Sequence, residues 1–168
     1  MIIRPALPAD AALIAEIYNH AVLNTVAILN NDTVDAANRA AWMEVRQADG
    51  LPVLVAESDG QVIGYASYGP WRPFDGFRET VEHSVYVRDG QRGRGVGRQL
   101  MQALINHARA KDLHIMVAGI TAGNEASIKL HQSLGFQITA QMPEVGQKFG
   151  QWLDLIFLQL RLDPRDKP

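Results

Sequence analysis

The chain has 168 residues and a net charge of −2, with 47% hydrophobic and 20% charged residues. This length predicts one domain with a substantial buried core, and the small net charge favours neither nucleic acid nor an anionic membrane as a partner. The absence of cysteine excludes disulfides, thiolate metal sites and a cysteine nucleophile, and it fits a reducing compartment. Because neither a secretory signal nor an apolar run of roughly 20 residues is present, we expect a cytoplasmic protein.

The first part of the chain predicts a strand and two helices. Residues 2–4 are typical of a short strand, and residues 10–23 predict a helix that Asp10 would cap. A second helix is predicted over residues 35–47. The side chains expected to be buried are Leu13, Ile14, Ile17 and Ala21 in the first helix, and Trp42 and Val45 in the second.

From residue 51 the hydrophobic pattern becomes that of strands. Residues 51–58 and 61–69 flank Asp59-Gly60, which predicts a β-hairpin. After a loop, residues 78–87 predict a third strand of this group. A helical pattern follows, and its apolar stripe consists of Val96, Leu100, Leu104 and Ala108, flanked by Met101 and Ile105.

The next two elements are a buried strand and a short helix. Residues 113–120 form a nearly continuous apolar run, typical of a strand that is covered on both faces. Asn124 is expected to cap a helix that runs to Leu134, and Gly135 is expected to end it in a left-handed conformation.

The chain closes with a predicted strand pair, residues 136–143 and 151–162, and with a short tail, residues 163–168, that is expected to fray. The order is therefore strand, two helices, three strands, helix, strand, helix and two strands. This order predicts one α/β domain over residues 1–162, built on a mixed sheet.

Three alternating glycines stand at the junction of the third strand and the following helix. Gly93, Gly95 and Gly97 are flanked there by arginines. A helix N-terminus presents unpaired N–H groups and a positive dipole end, so bare backbone at this point favours phosphate binding. The alternative is a flexible turn with solvated arginines. The spacing matches neither a P-loop, which needs Gly-Lys-Ser/Thr, nor the dinucleotide fingerprint, which needs a sixth-position glycine where Arg98 stands.

The pattern Arg92-x-x-Gly95-x-Gly97 resembles the Q/R-x-x-G-x-G/A pyrophosphate loop of the GNAT acetyltransferase superfamily, and the stretch NEASIKLHQSLGF at 124–136 is similar to another segment of that family. The resemblance implies a mixed, mostly antiparallel central sheet with about four helices, and acetyl-CoA as co-substrate. The cofactor contacts that it implies are the backbones of Val85, Tyr86 and Val87, the loop Arg92, Gly93, Arg94, Gly95, Val96, Gly97 and Arg98, and the side chains of Asn124 and Ser133.

Five further stretches, AEIYNHAV, TVEHSVYV, MVAGI, LHQSLGF and VGQKFGQWLDL, resemble the phosphinothricin and methionine sulfoximine N-acetyltransferase branch of this family. The branch acetylates the amine of small amino-acid analogues, which include L-methionine sulfoximine and L-methionine sulfone, and a homodimer is expected from the resemblance. One departure lies just before Asn30, where the branch often has tryptophan and this chain has Leu29.

Acetyl transfer to an ammonium group requires a base, and Glu82 is the candidate. Strand alternation places it on one face with Ser84, while His83 lies on the other face, where a packing role is favoured. From the residues alone, an exposed strand glutamate is equally compatible; the resemblance assigns Glu82 as base. His131 stands where many family members carry the acid that protonates the thiolate, and it is a candidate for that role or for capping. Backbone N–H groups after Ser84 could polarise the thioester carbonyl.

The loop after residue 70 combines a cation with aromatic rings. Arg72 could hold a carboxylate, sulfone or phosphinate oxygen through two parallel hydrogen bonds, and Phe74 could cover the apolar stem of the substrate. The alternative is a hairpin loop with aromatics at its rim. The resemblance implies a substrate-binding set of Asn30, Arg72, Pro73, Phe74, Glu82, His83 and Ser84.

The residues together with the resemblance therefore imply an acetyl-CoA-dependent N-acetyltransferase for small amino-acid-like amines. Two alternatives remain: an acetyltransferase for other amines, such as polyamines or protein N-termini, and a coenzyme A sensor without catalysis. The five histidines show no metal-binding spacing, so no metal is expected. The surroundings of Ser67 lack the nucleophile elbow of serine hydrolases.

Overall fold

The computed structural model describes residues 1–168 as seven strands, four α-helices and two short 3₁₀ turns. The strands are β1 Ile2–Pro5, β2 Val53–Ser58, β3 Gln61–Pro70, β4 Thr80–Val87, β5 Ile115–Thr121, β6 Gln137–Lys148 and β7 Gln151–Arg161. The helices are α1 Ala11–Asn24, α2 Ala36–Ala48, α3 Val96–Ala110 and α4 Glu125–Ser133, and the 3₁₀ turns are Pro8–Asp10 and Asp75–Phe77. This is the predicted order of elements.

The seven strands form one sheet in the order β1-β2-β3-β4-β5-β7-β6. Strand β4 pairs with β5 in parallel, whereas the pairs β1–β2, β2–β3, β5–β7 and β6–β7 are antiparallel. The predicted fold class, a mixed and mostly antiparallel sheet with four helices, is confirmed. By its internal contacts the chain divides into a first unit, Met1–Tyr68 with Ser84–Leu104, and a second unit, Gly69–His83 with Ile105–Pro168.

The core of the first unit forms where α1 and α2 bury their apolar side chains together with those of β2 and β3. Its buried members include Ile14, Ile17, Met43, Val53, Val55, Val62 and Tyr65. The predicted hairpin turn is confirmed, because Asp59 and Gly60 both have positive φ, 53° and 73°, as a two-residue turn of this type requires.

Two details of the helix predictions in the first unit are wrong. Asp10 stands at the N-cap position of α1, but its side chain makes no capping hydrogen bond; its carboxylate forms a 2.7 Å ion pair with Arg4 and accepts a hydrogen bond from the Leu7 N–H. Val45 is 60% exposed, and Met43 is the buried residue of α2. Trp42 is only partly buried, and the guanidinium groups of Arg39 and Arg46 lie 5.0 Å from the centroid of its ring.

Helix α3 confirms the predicted apolar stripe. All six of its predicted core side chains, Val96, Leu100, Met101, Leu104, Ile105 and Ala108, are at most 2% exposed. Its strong amphipathic pattern explains this success, since a helix with one continuous apolar stripe has one way to face a core. None of the helices combines the length and the apolar character that crossing a membrane would require.

In the second unit, β5 is buried as its apolar run predicted, and α4 begins at the side chain of Asn124, which accepts a hydrogen bond from the Ser127 N–H. Gly135 has a φ of 94°, which confirms the left-handed end of this helix. The predicted fraying of the C-terminal tail is wrong for Asp163 and Arg165. Asp163 pairs with His114 at 2.9 Å, and Arg165 pairs with Glu79 at 2.9 Å.

Candidate active site

The glycine-rich loop of the first unit is open at its turn. Gly93 and Gly95 have φ values of 77° and 80°, a conformation that residues with a side chain rarely adopt. A Cβ atom at either position would meet no atom of the protein within 4 Å. The glycines are therefore required by the backbone conformation, and the space beside them is free for a ligand. Gly97 lies inside the first turn of α3.

Helix α3 starts directly after this turn, because the Gly95 carbonyl accepts a hydrogen bond from the Gln99 N–H at 3.1 Å. The N–H groups of the first helical turn have no acceptor within the helix, and they form its positive end. Arg92 and Arg94 are both exposed beside them. This combination of backbone donors, helix dipole and two cations suits a pyrophosphate, so the residues present fit the coenzyme that the sequence predicted.

Gly64 on β3 fixes the approach of β4 to α3 in the same unit. A Cβ atom at Gly64 would lie 3.0 Å from the carbonyl oxygen of Tyr86 and 3.1 Å from side-chain atoms of Val96 and Leu100. No larger residue fits there without displacing the backbone of β4. Gly64 thus keeps the predicted pantetheine segment of β4 packed close to the first turns of α3, which carry the phosphate-binding backbone.

Glu82, on β4 in the second unit, has the properties of a general base. Its carboxylate is half-buried and makes neither a hydrogen bond nor an ion pair within the protein. Burial raises the pKa of Glu82, and the positive charge of Arg72 partly offsets that rise. A carboxylate with a raised pKa and free lone pairs is a stronger base than an ordinary surface glutamate.

An aromatic and cationic surface lies in the same unit as Glu82. The N–H of Trp71 donates to the Thr80 carbonyl at 3.1 Å and so closes the predicted substrate loop. The Trp71 ring packs edge-on against Phe157 at 5.7 Å between centroids, and the Arg72 guanidinium lies 4.5 Å above the Trp71 ring. We call Trp71, Arg72, Glu82, Gly119 and Phe157 the Glu82 cluster.

Two members of the Glu82 cluster, Gly119 and Phe157, were missed by the sequence predictions. A Cβ atom at Gly119 would lie 3.2 Å from the Glu82 Oε1 atom and 3.3 Å from the Phe157 ring. Gly119 had a recognisable signal, an isolated glycine within an apolar strand, which often marks a close approach of another group. Phe157 had none, because nothing separates it in sequence from the other apolar residues of β7.

His83 packs against His131, as strand alternation favoured, and its contact with substrate stays a prediction. The Nδ1 atom of His131 lies 2.7 Å from the Ser127 carbonyl, which can only accept, so this nitrogen carries the proton. In the neutral ring Nε2 is then an acceptor, and it receives the Nε2–H of His83 at 3.1 Å. This leaves the Nδ1 atom of His83 as a buried acceptor without a partner. Since both nitrogens of His131 are engaged, its role as an acid stays a prediction.

Because of this histidine pair, we expect the protein to lose stability in mild acid. Burial and the neighbouring His131 lower the pKa of His83 to about 3, and burial lowers the pKa of His131 too. Below about pH 6.5 the histidines of the unfolded chain bind protons, whereas those of the folded pair stay neutral. The free energy of unfolding therefore falls as the pH falls. Urea unfolding should show a loss of about 1 kcal/mol or more for His83 between pH 7.5 and 5.5.

The matched variants for this measurement are His83→Phe, which removes the buried titration, and His20→Gln, which leaves the pair intact. We expect the pH dependence to weaken in the first variant and to persist in the second. An unchanged pH dependence in His83→Phe would contradict the assignment.

The other predicted site residues occupy defined positions. Ser133 is exposed, and its hydroxyl donates to the Leu130 carbonyl at 2.6 Å. The side-chain amide of Asn30 donates to the Tyr18 hydroxyl at 2.7 Å, and Phe74 is 68% exposed. Pro73 is exposed and Ser84 is half-buried. Their contacts with cofactor or substrate stay predictions. No group of three or more histidine, aspartate or glutamate side chains is arranged as metal ligands would be.

Comparison with known proteins decides the family. The profile of the Acetyltransferase (GNAT) family matches residues 14–136. The chain belongs to the GNAT acetyltransferase family. This GNAT member is 62% identical over 168 residues to the L-amino acid N-acyltransferase MnaT of Escherichia coli, a match that covers 100% of this chain and 98% of that protein.

Two further matches define the branch of the GNAT family. The chain is 64% identical over 163 residues to the L-methionine sulfoximine/L-methionine sulfone acetyltransferase of Pseudomonas aeruginosa, covering 96% of this chain and 95% of that protein. The structure of yncA from Salmonella typhimurium with its cofactor acetyl-CoA aligns with a TM-score of 0.97 at 61% identity, covering 100% of this chain and 97% of that one. The family, the branch and the fold predicted from the sequence are confirmed.

Proposed function

We propose that this GNAT enzyme transfers the acetyl group of acetyl-CoA directly to the amine of small amino-acid analogues, foremost L-methionine sulfoximine and L-methionine sulfone. The observation that carries the proposal is the Glu82 carboxylate, which is half-buried, makes no hydrogen bond or ion pair within the protein and has a raised pKa. The names of the relatives supply the substrate class. Phosphinothricin is a further candidate because it is also an amino acid with oxygens on a tetrahedral centre.

Acetyl-CoA supplies the acetyl group as a thioester, and the chain's own residues bind it and prepare the amine. The open turn at Gly93 and Gly95 and the first N–H groups of α3 would hold the pyrophosphate, with Arg92 adding charge. The backbones of Val85, Tyr86 and Val87 would hold the pantetheine arm. The relative of known structure that carries acetyl-CoA supports this assignment.

Glu82 would remove the proton that an amino acid's ammonium group carries at neutral pH, either directly or through a water molecule. The reaction needs this step because only the neutral amine has a lone pair to attack a carbonyl. Glu82 stands three residues before Val85 in the sequence of β4. A sensor without catalysis would not need an unpaired, half-buried carboxylate there, so this observation favours an enzyme.

Arg72 would select substrates with an anionic end. Its guanidinium is exposed, stacks on Trp71 and makes no ion pair within the protein, so its N–H groups are available. Phe74, also exposed, would cover the substrate's apolar stem. A cation in this position disfavours polyamines, which would require an acidic surface.

Arg72→Ala is expected to lower kcat/KM for L-methionine sulfoximine by about tenfold to more than a hundredfold, because a charge-assisted contact of this kind contributes roughly 1.5–3 kcal/mol. Activity towards a simple alkylamine should change much less, since that substrate has no anionic group for Arg72 to hold and is affected only through the charge that Arg72 places near Glu82. Steady-state kinetics with both substrates give the ratio between the two losses of kcat/KM.

The control is Arg72→Lys, which should recover only part of the loss because an ammonium group cannot form two parallel hydrogen bonds. Coenzyme A affinity should stay constant in both variants. Equal losses for the acid-bearing and the acid-free amine would show that Arg72 supports the loop, and its role in substrate selection would then be wrong.

We also propose a homodimer that forms through the β6–β7 hairpin. Strand β6 is exposed along most of its length, and the exposed large apolar side chains of the hairpin are Ile138, Met142, Val145, Phe149 and Trp152. Burying such a patch against a second copy would remove apolar surface from water.

Since acetyl-CoA is an intracellular metabolite, we place the enzyme in the cytoplasm. A role in detoxification would follow if the analogues that it acetylates are toxic to the cell.

A further inference from the structure

Gly119 is an exposed residue within a buried strand. The other residues of β5 are buried or, in the case of Ile115, half-buried, and the strand pairs with β4 on one side and β7 on the other. A glycine inside a strand weakens it, because it adds backbone entropy to the unfolded chain and contributes no side chain to packing. The φ angle of Gly119 is not positive, so the backbone conformation does not require glycine. The absence of a side chain at Gly119 must therefore have a cause other than the backbone conformation.

The surroundings of Gly119 show what a side chain would obstruct. A Cβ atom would lie 3.2 Å from the Glu82 Oε1 atom on one side and 3.3 Å from the Phe157 Cε1 atom on the other. Phe157 is also the residue that pairs with Gly119 across the β5–β7 ladder. The missing side chain therefore leaves a small surface bounded by the carboxylate that we propose as base and by an aromatic ring.

Gly64 provides the contrast with a glycine that serves packing. It lies in a continuously buried part of β3, and its Cβ atom would meet a backbone oxygen and two aliphatic side chains. Gly119 instead faces an accessible space and adjoins a charged group and a ring. Even alanine at Gly119 would have to push the Glu82 carboxylate or the Phe157 ring aside by a few tenths of an ångström, so the bare backbone keeps these two groups close to each other and to the open space.

We propose that Gly119 is a specificity-determining residue. The amine-bearing carbon of the substrate lies against its bare backbone, between the Glu82 carboxylate and the Phe157 ring. The inference rests on the proposed function. An α-amino acid carries both a carboxylate and a side chain on that carbon, so it needs more room next to the amine than an unbranched amine does. Glycine at this position provides the room, and Phe157 offers an apolar wall for the side chain.

The test is a comparison of Gly119→Ala and Gly119→Val with the wild type on L-methionine sulfone. One extra methyl group in a close-fitting site changes kcat/KM by about 10–200-fold, so we expect at least a tenfold loss with alanine and a greater loss with valine. The loss should lie mainly in KM, because the side chain excludes the substrate while Glu82 remains a base. Coenzyme A affinity and the melting temperature, measured on the same samples, should stay close to those of the wild type.

Gly50→Ala is the control for a methyl group added outside the site, since Gly50 is exposed beyond the end of α2 and a Cβ atom there would meet nothing within 4 Å. Its positive φ of 71° makes a small loss of stability expected, but its kcat/KM for L-methionine sulfone should match that of the wild type. A loss below about threefold in both Gly119 variants, or a loss confined to kcat, would overturn the inference, because the first outcome shows no steric role and the second shows that Gly119 only positions Glu82. A wild type that acetylates no amino-acid analogue would overturn the proposed function itself, and the wild-type arm alone shows that outcome.

Discussion

Gly95→Val is expected to abolish coenzyme A binding in a protein that still folds. Valine strongly disfavours the φ of 80° that this position has, and its two methyl groups would project into the open space beside the first turn of α3. Both effects act on the turn that presents the phosphate-binding N–H groups. Calorimetric titration with coenzyme A measures the loss of affinity, and circular dichroism shows whether the variant is folded.

The chain contains a matched control for this substitution at Gly60. Gly60 also has a positive φ, 73°, and a Cβ atom there would also meet nothing within 4 Å, but it lies in the β2–β3 hairpin turn. Gly60→Val imposes the same kind of backbone strain at a place without a proposed ligand. It should lower stability and leave coenzyme A affinity unchanged. Normal affinity in Gly95→Val, or the same loss of affinity in both variants, would contradict the assignment of the loop.

Glu82→Gln should lower kcat/KM by roughly 10²–10⁴, because it keeps the shape of the side chain and removes its basicity. Coenzyme A binding should survive. Since burial raises the pKa of Glu82, the wild-type activity should fall as the pH is lowered through that pKa, where the carboxyl group becomes protonated. The variant should lack this part of the pH profile. Steady-state kinetics as a function of pH measure both effects.

Glu44→Gln removes an exposed carboxylate from α2 and is the control for the loss of one negative charge. It should leave kcat/KM and its pH profile unchanged. If Glu82→Gln lowers kcat/KM by less than about threefold, then water or another group accepts the proton, and Glu82 is not the base.

The features that the sequence predicted well are those with a local cause. The apolar stripe of α3 has one period and one face, so it predicts both the helix and its buried side chains. The turn at Asp59-Gly60 and the left-handed Gly135 follow from the backbone preferences of a few adjacent residues. The turn at Gly93 and Gly95 between a strand and a helix also has a local cause, whereas its binding of a pyrophosphate stays a prediction.

The features that the sequence did not predict depend on residues far apart in the chain. The ion pair that engages the Asp10 carboxylate requires Arg4 on β1, and the exposure of Val45 depends on which face of α2 meets the core. The pairing of His83 with His131 joins residues 48 positions apart. The Glu82 cluster brings together β4, β5, β7 and a loop, so Phe157 could be identified only from the folded chain.

The central claim is acetyl transfer from acetyl-CoA to an amino-acid amine, and product analysis tests it most directly. Purified protein would be mixed with acetyl-CoA and L-methionine sulfone, and the mixture would be analysed by mass spectrometry beside Glu82→Gln. We predict that the wild type forms N-acetyl-L-methionine sulfone and one free coenzyme A thiol per product, and that the variant forms both at least about 100-fold more slowly. Coenzyme A binding by the wild type without any acetylated amino-acid analogue, across a panel that includes L-methionine sulfoximine, would contradict the account.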